Sequence, residues 1–239
     1  MDTIKFEKGS AKIVAHRGLS GLETENTAAA FIAACQRSYF GLETDIHFTK
    51  DGHYICCHDS NLERVSGKNV VIEEMTLEEL SKVRLYERGT TEERSYLSIP
   101  LLTDYINICK KYGKVCVAEI KGLMSEEHLK NIADIFAKCD MLENTIFIAF
   151  DFDNLKILRS ILPNQKMQYL TGRTDEEIIT LLKKYNLDID VYHESLTEDV
   201  VKNIHDNGIE INCWTVDNKE RAQLLASWGV DFISSNILE

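Results

Sequence analysis

Short apolar and β-branched runs alternate with amphipathic stretches along the whole chain, the order that a parallel sheet with crossover helices leaves in a sequence. The predicted strands are Lys12 to Ala15, Leu42 to Phe48, Val115 to Ile120, Thr145 to Phe150, Lys166 to Leu170, Ile189 to His193, Ile209 to Val216 and Val230 to Ser234. Eight such runs match the number that closes a parallel barrel, so the pattern predicts a TIM-like (β/α)8 barrel. Helix signals fill the gaps. Asn26 is the predicted N-cap of the alanine-rich stretch after it, and Ser125-Glu-Glu, Thr174-Asp-Glu-Glu and Thr197-Glu-Asp each place an oxygen cap before an acidic first turn. Gly208 and Gly229 sit where helices should stop.

One stretch breaks the rhythm. Asp51-Gly52 predicts a tight turn that returns Tyr54 to Cys57 as a hairpin strand after the second barrel strand. The polar segment at about 61–99 then carries one clear helical signal, Thr76-Leu-Glu-Glu-Leu, and reads as a small inserted subdomain over the top of the barrel.

A length of 239 residues with 44% hydrophobic content suits one barrel domain over residues 1–239 better than two domains. The net charge of -12 disfavours nucleic acid and anionic membrane over most of the surface, while leaving room for a small anionic substrate in a locally cationic pocket. The first residues show neither a signal peptide nor a membrane anchor, so the expected location is cytoplasmic, without stable membrane association; a homo-oligomer stays open. Seven scattered cysteines without a CxxC pair read as reduced, mostly buried small hydrophobes. Cys57 beside His58 is the one position with a nucleophile's setting, and it is a weak one.

The chemistry concentrates at strand ends. Glu43, Asp45 and His47 alternate with Thr44, Ile46 and Phe48, which puts three polar groups on one face of a strand expected to be buried. A divalent cation would relieve that crowding; an exposed edge strand with solvated acids is the alternative. Glu119 shares a face with Val115, Val117 and Lys121, so it can converge as a third ligand. An all-carboxylate set favours Mg²⁺ or Ca²⁺, with Mn²⁺ behind them.

His16 and Arg17 leave the first strand at the same rim, and His58 closes the hairpin strand with Asp59 beside it as a potential orienting group. Either histidine alone reads as a satisfied structural imidazole. Together they form a general acid/base pair, with Arg17 and Lys121 as phosphate contacts. Lys121 also fits a surface ion pair, and Trp214 is either a flat wall for an alcohol group or a core side chain. His193 and Asn236 fit the rim, and His53, His128 and His205 fit solvated surface positions.

The segments AHRG, ETENTAAAF, LETDIHFTKDG and CCHDSNLERVSG, followed by EIK, CWTVDN and GVDFISSN, together resemble the glycerophosphodiester phosphodiesterase family over nearly the whole chain. The resemblance implies a TIM-like barrel with a subdomain inserted after the second strand. It also implies metal-dependent hydrolysis of small glycerophosphodiesters, such as glycerophosphocholine or glycerophosphoethanolamine, to sn-glycerol 3-phosphate and an alcohol. The family roles then fall on His16 and His58 as acid and base, Glu43, Asp45 and Glu119 as metal ligands, and Arg17 and Lys121 as phosphate contacts. In similar enzymes the substrate's own glycerol hydroxyl attacks phosphorus to give a cyclic intermediate. Two departures stand out: Thr24 replaces the family's proline before Glu25-Asn26-Thr27, and Ser234-Ser235-Asn236 replaces a commoner Thr-Asp ending. Lysophospholipid cleavage and a non-catalytic phosphometabolite-binding barrel are the competing readings, the first opposed by the acidic character of residues 61–99.

Overall fold

The computed structural model describes residues 2–239. Its strands are β1 (Lys12–Ala15), β2 (Gly41–Phe48), β3 (Tyr54–Cys56), β4 (Val115–Ile120), β5 (Thr145–Ala149), β6 (Met167–Thr171), β7 (Asp188–Tyr192), β8 (Ile211–Trp214) and β9 (Phe232–Ser235). They form one sheet in the order β1-β9-β8-β7-β6-β5-β4-β2-β3, and a further β1–β2 pairing closes the ring. All pairings around the ring are parallel; β3 is antiparallel, folded back on the end of β2 with Phe48 opposite Tyr54. The helices are α1 (Ala28–Cys35), α2 (Glu63–Ser66), α3 (Leu77–Ser81), α4 (Leu102–Tyr112), α5 (Glu126–Lys138), α6 (Phe152–Ile161), α7 (Glu176–Tyr185), α8 (Glu198–Asp206) and α9 (Lys219–Ser227). This is a TIM-like (β/α)8 barrel, as the hydrophobic pattern predicts.

Alternation along each strand sorts the side chains into two layers. Val14, Val117, Ile146, Ile148, Leu170 and Phe232 fill the barrel interior. Their strand neighbours, among them Ile13, Cys116, Phe147, Ile189 and Ile211, face outward into the larger cluster shared with the helices. A third, separate cluster centred on Ile55, Leu62, Ile72, Leu80, Val83, Leu85 and Leu97 holds the segment between β3 and α4 together. There α3 begins with a capping box, Thr76 and Glu79 satisfying each other's backbone N–H groups. The short helix α2 and a 3₁₀ turn at Ile72–Glu74 were not expected, because four or three residues show no helical period.

Two cap assignments need correction. Thr27, not Asn26, caps α1, its hydroxyl accepting the Ala30 N–H at 3.2 Å. Asn26 is instead in the left-handed region (φ 52°), with its amide spent on β2. Asp175, one residue later than Thr174, caps α7. Gly208 and Gly229 lie just beyond α8 and α9 with positive φ, ending both helices as predicted. All seven cysteines are free, and all but Cys139 are buried.

Candidate active site

The β1 exit turns sharply. Arg17 and Gly18 both have positive φ, and a Cβ on Gly18 would lie 2.8 Å from the Ala30 backbone, so only glycine lets the turn pack on α1. That turn lays the Arg17 backbone over β2, where its N–H donates to Glu43 Oε2 at 2.7 Å. The parallel register places Asp45 of β2 directly beside Glu119 of β4. Carboxylate oxygens of Glu43, Asp45 and Glu119 thereby come within 4.8 Å of one another, and all three residues are buried.

Such crowding is costly without cations. Lys121, just past β4, reaches Glu119 Oε1 at 2.8 Å and Asp45 Oδ1 at 3.3 Å. The Arg17 Nε stands 3.6 Å from Asp45 Oδ2, which also accepts from the Asn26 amide at 2.8 Å. Burial pushes the Asp45 carboxyl up, but Lys121 and Arg17 outweigh it and hold the group at about 2. Burial and then Asp45 push Glu119 up to about 7, and burial with Asp45 and Glu119 raises Glu43 well above the usual carboxylate range. Two fixed cations therefore face three carboxyl groups. Glu43 Oε1 is buried without any hydrogen-bond partner, an orphan costing about 1–3 kcal/mol, and Asp45 Oδ1 has no hydrogen bond beyond the Lys121 ion pair. An unpartnered buried carboxylate oxygen, an all-oxygen donor set and fewer cations than carboxyl groups fit a hard divalent cation.

The two histidines reach this cluster from different supports. His16 Nδ1 lies 2.8 Å from Asn236 Oδ1, and its Nε2 lies 4.0 Å from Glu43 Oε2. Asp217 fixes the amide orientation, accepting from Asn236 Nδ2 at 2.6 Å and from its backbone N–H at 2.8 Å. Asn236 therefore presents an acceptor to the ring, so Nδ1 carries the proton and Nε2 offers a lone pair toward the acids. Burial, and then Arg17, push the His16 imidazole below its ordinary value. His58, at the end of the hairpin, places Nδ1 2.6 Å from Asp59 Oδ1. Asp59 is held in turn by Arg64 at 2.6 Å, Arg64 by Glu25 at 2.8 Å, and Glu25 by Arg17 at 2.9 Å. His47, grouped with the acids by alternation, stays out of the cluster; its Nε2 lies 3.2 Å from the His58 carbonyl oxygen.

His16, Arg17, Glu43, His58, Glu119 and Trp214 line a single cavity of about 110 Å³, with Asp45 and Lys121 in contact behind Glu119. Trp214 is anchored by its Nε1 to the Asp190 carbonyl at 3.3 Å and meets the Phe150 ring edge-to-face at 5.5 Å, so it forms a wall of the cavity. A larger trough of about 860 Å³ shares His16 and Arg17 and is walled by Glu25, Arg64, Arg88 and Asp217. Cys57 does not take part: burial pushes its thiol up to about 12, far from a thiolate nucleophile.

Sequence reasoning gathers these residues and pairs His58 with Asp59, but it misses the support of His16. Asn236 is read as rim, yet it orients His16. His193 accepts from Arg221 rather than entering the cavity. His128 and His205 are half-buried and partnered by Tyr54 and Asp231, not solvated. Asp190 went unnoticed, although Asp188-Ile-Asp-Val-Tyr repeats the acid-apolar alternation of β2.

Comparison with known proteins gives the chain's family. Residues 16–237 match the Glycerophosphoryl diester phosphodiesterase family. A glycerophosphodiester phosphodiesterase of Caldanaerobacter subterraneus is 28% identical over 233 residues, covering 92% of each chain. A solved phosphodiesterase of Oleispira antarctica, in complex with its product sn-glycerol-3-phosphate, superposes with a TM-score of 0.86 at 22% identity, covering 95% of this chain and 93% of the other. A glycerophosphodiester phosphodiesterase of Parabacteroides distasonis superposes with a TM-score of 0.80 at 25% identity, covering 96% and 94%. With the match running from the first rim histidine to the last strand, the chain belongs to the glycerophosphoryl diester phosphodiesterase family and is a phosphodiesterase.

Proposed function

We propose that this enzyme hydrolyses small glycerophosphodiesters, such as glycerophosphocholine and glycerophosphoethanolamine, to sn-glycerol 3-phosphate and an alcohol. The observation that carries the reading is a cluster of three buried carboxyl groups, two of which line one small cavity together with two histidines from separate elements. Glu43, Asp45 and Glu119 would hold one divalent cation, Mg²⁺ or Ca²⁺ ahead of Mn²⁺. When bound, it would withdraw charge from the phosphoryl oxygens.

The remaining work falls to the chain's own groups. His16, neutral and with Nε2 unprotonated, takes the proton of the attacking hydroxyl. As the new P–O bond forms, the bond to the alcohol breaks and His58 gives its proton to the departing oxygen, leaving a cyclic phosphate. The neutral His58 then takes a proton from water as its oxygen attacks phosphorus, and His16 returns its proton to the glycerol oxygen that leaves, giving sn-glycerol 3-phosphate and restoring both rings. Each transfer contributes about 10²–10⁴-fold. Arg17 and Lys121 supply the fixed positive charge that offsets the phosphoryl oxygens, and Trp214 gives the carbon skeleton a flat surface. Charged walls on the larger trough favour polar diesters over acyl-bearing ones.

A panel of glycerophosphodiesters and lysophosphatidylcholine, assayed with Mg²⁺, Ca²⁺ or Mn²⁺ and with chelator, tests the reading. Metal-dependent release of sn-glycerol 3-phosphate from the small diesters is expected. Undiminished turnover in chelator, or a preference for the lysophospholipid, overturns it.

A further inference from the structure

The opposite wall of the catalytic cavity carries a carboxyl group that the chemistry above does not use. Asp190 points inward from the middle of β7, while its strand neighbours Ile189 and Val191 face the helices. It is 2% exposed, and its Oδ1 has no hydrogen-bond partner among the described residues. The polar side chains on the flanking strands have found one another instead. Asn212 of β8 donates to Gln168 of β6 at 3.1 Å, bridging across β7, and accepts from Ser234 of β9 at 3.2 Å. That network passes Asp190 by. Its carboxyl lines the cavity beside Ile148, Phe150, Leu170 and Trp214, across from the acids and histidines.

The cavity is therefore two-sided. One side holds fixed charge suited to a phosphoryl group; the other is largely apolar, with Thr215, Ser234 and one carboxyl that lacks a partner. Its volume of about 110 Å³ is that of roughly four waters, which a three-carbon polyol fragment can replace.

We infer that Asp190 is a specificity-determining residue that receives a free hydroxyl of the substrate's glycerol half, whose carbon chain lies against Trp214 and Phe150. Either protonation form serves, since a carboxylate accepts from a hydroxyl and a carboxylic acid both donates and accepts. The inference rests on the proposed glycerophosphodiester reading, but its test does not require turnover.

With Mg²⁺ or Ca²⁺ present, calorimetry compares binding of sn-glycerol 3-phosphate with that of n-propyl phosphate, which lacks both free hydroxyls. The unmodified enzyme is expected to prefer the glycerol compound by about 3- to 100-fold, the span from a neutral hydrogen bond to one with an ionised group. Asp190→Leu should abolish that preference while leaving n-propyl phosphate affinity within about twofold, and Asp190→Asn should keep part of it. A preference that survives Asp190→Leu, or an equal weakening of both ligands, overturns the inference. If Asp190→Leu does not fold, Asp190→Ala is read by the same criteria. Failure of the glycerophosphodiester reading shows separately, as absent turnover in the unmodified enzyme.

Discussion

His16 and His58 face one cavity from two unlike settings. His16 stands on the barrel itself, 18% exposed, with a neutral amide on its far nitrogen and a carboxylate, Asp217, one bond further out. His58 stands on the hairpin that leads into the inserted segment, about a third exposed, with a carboxylate directly on its far nitrogen. An amide fixes a tautomer without favouring charge on the ring. A carboxylate fixes the tautomer and compensates an imidazolium. The contrast teaches that one fold can give two identical rings different electrostatic settings through the neighbour each is given, which is what the proposed division into base and acid requires.

The largest effects should come from deleting the rings. His16→Ala and His58→Ala are each expected to lower kcat by about 10²–10⁴-fold, and steady-state kinetics with metal supplied will measure it. Full activity in both variants would remove the acid/base assignment. Next come the neighbours, where the two settings should part. Asp59→Asn replaces a charge-assisted bond and is expected to lower kcat by about 10- to 100-fold, whereas Asn236→Ala removes a neutral one and should lower it by about 2- to 10-fold. Equal losses would erase the proposed difference between the settings.

A pH profile sharpens the comparison further. Because burial lowers the folded His16 below the ordinary value of 6.5, the acid limb of kcat/KM is expected below that pH. Asn236→Asp puts a carboxylate on the ring, favours its protonated form and should move the limb upward. Stability follows the same sign. Below 6.5 the unfolded chain binds more protons at this site, so the contribution is intact above 6.5 and is lost as pH falls through the folded value. Thermal melts across this range will read it. The smallest effect is expected at Cys57→Ala, next to His58 in sequence: activity per folded molecule should stay within about twofold, because the buried thiol is not ionised.

Much of this was legible in the chain. Barrel strands are runs of β-branched and apolar residues, and their predicted limits agree with the observed ones to within about two residues. The acids and histidines were legible as well, since they cluster at strand ends or alternate along one strand. What escaped was whatever depends on closure of the ring. His16 and Asn236 are 220 residues apart, and no local pattern pairs them. Asn26 has the look of a cap because its side chain suits that role, yet its bonds to Thr44 and Asp45 outcompete the helix end. Asp190 alternates with Asp188 as the acids of β2 do, but no second cluster of acids or histidines stands beside it in the sequence, and its lack of a partner is seen only in three dimensions.

The β1–β9 seam has a bearing on biosynthesis. A nascent chain still lacking β9 already contains every acid of the triad and both imidazoles, but the ring is open between β8 and β1. The strand that leads into His16, β1, then lacks its parallel partner β9 and the Ser235 carbonyl that receives the His16 backbone N–H. Hydrolytic competence should therefore arise in one step, when the final strand clears the ribosome and docks, and stalled fragments should be silent.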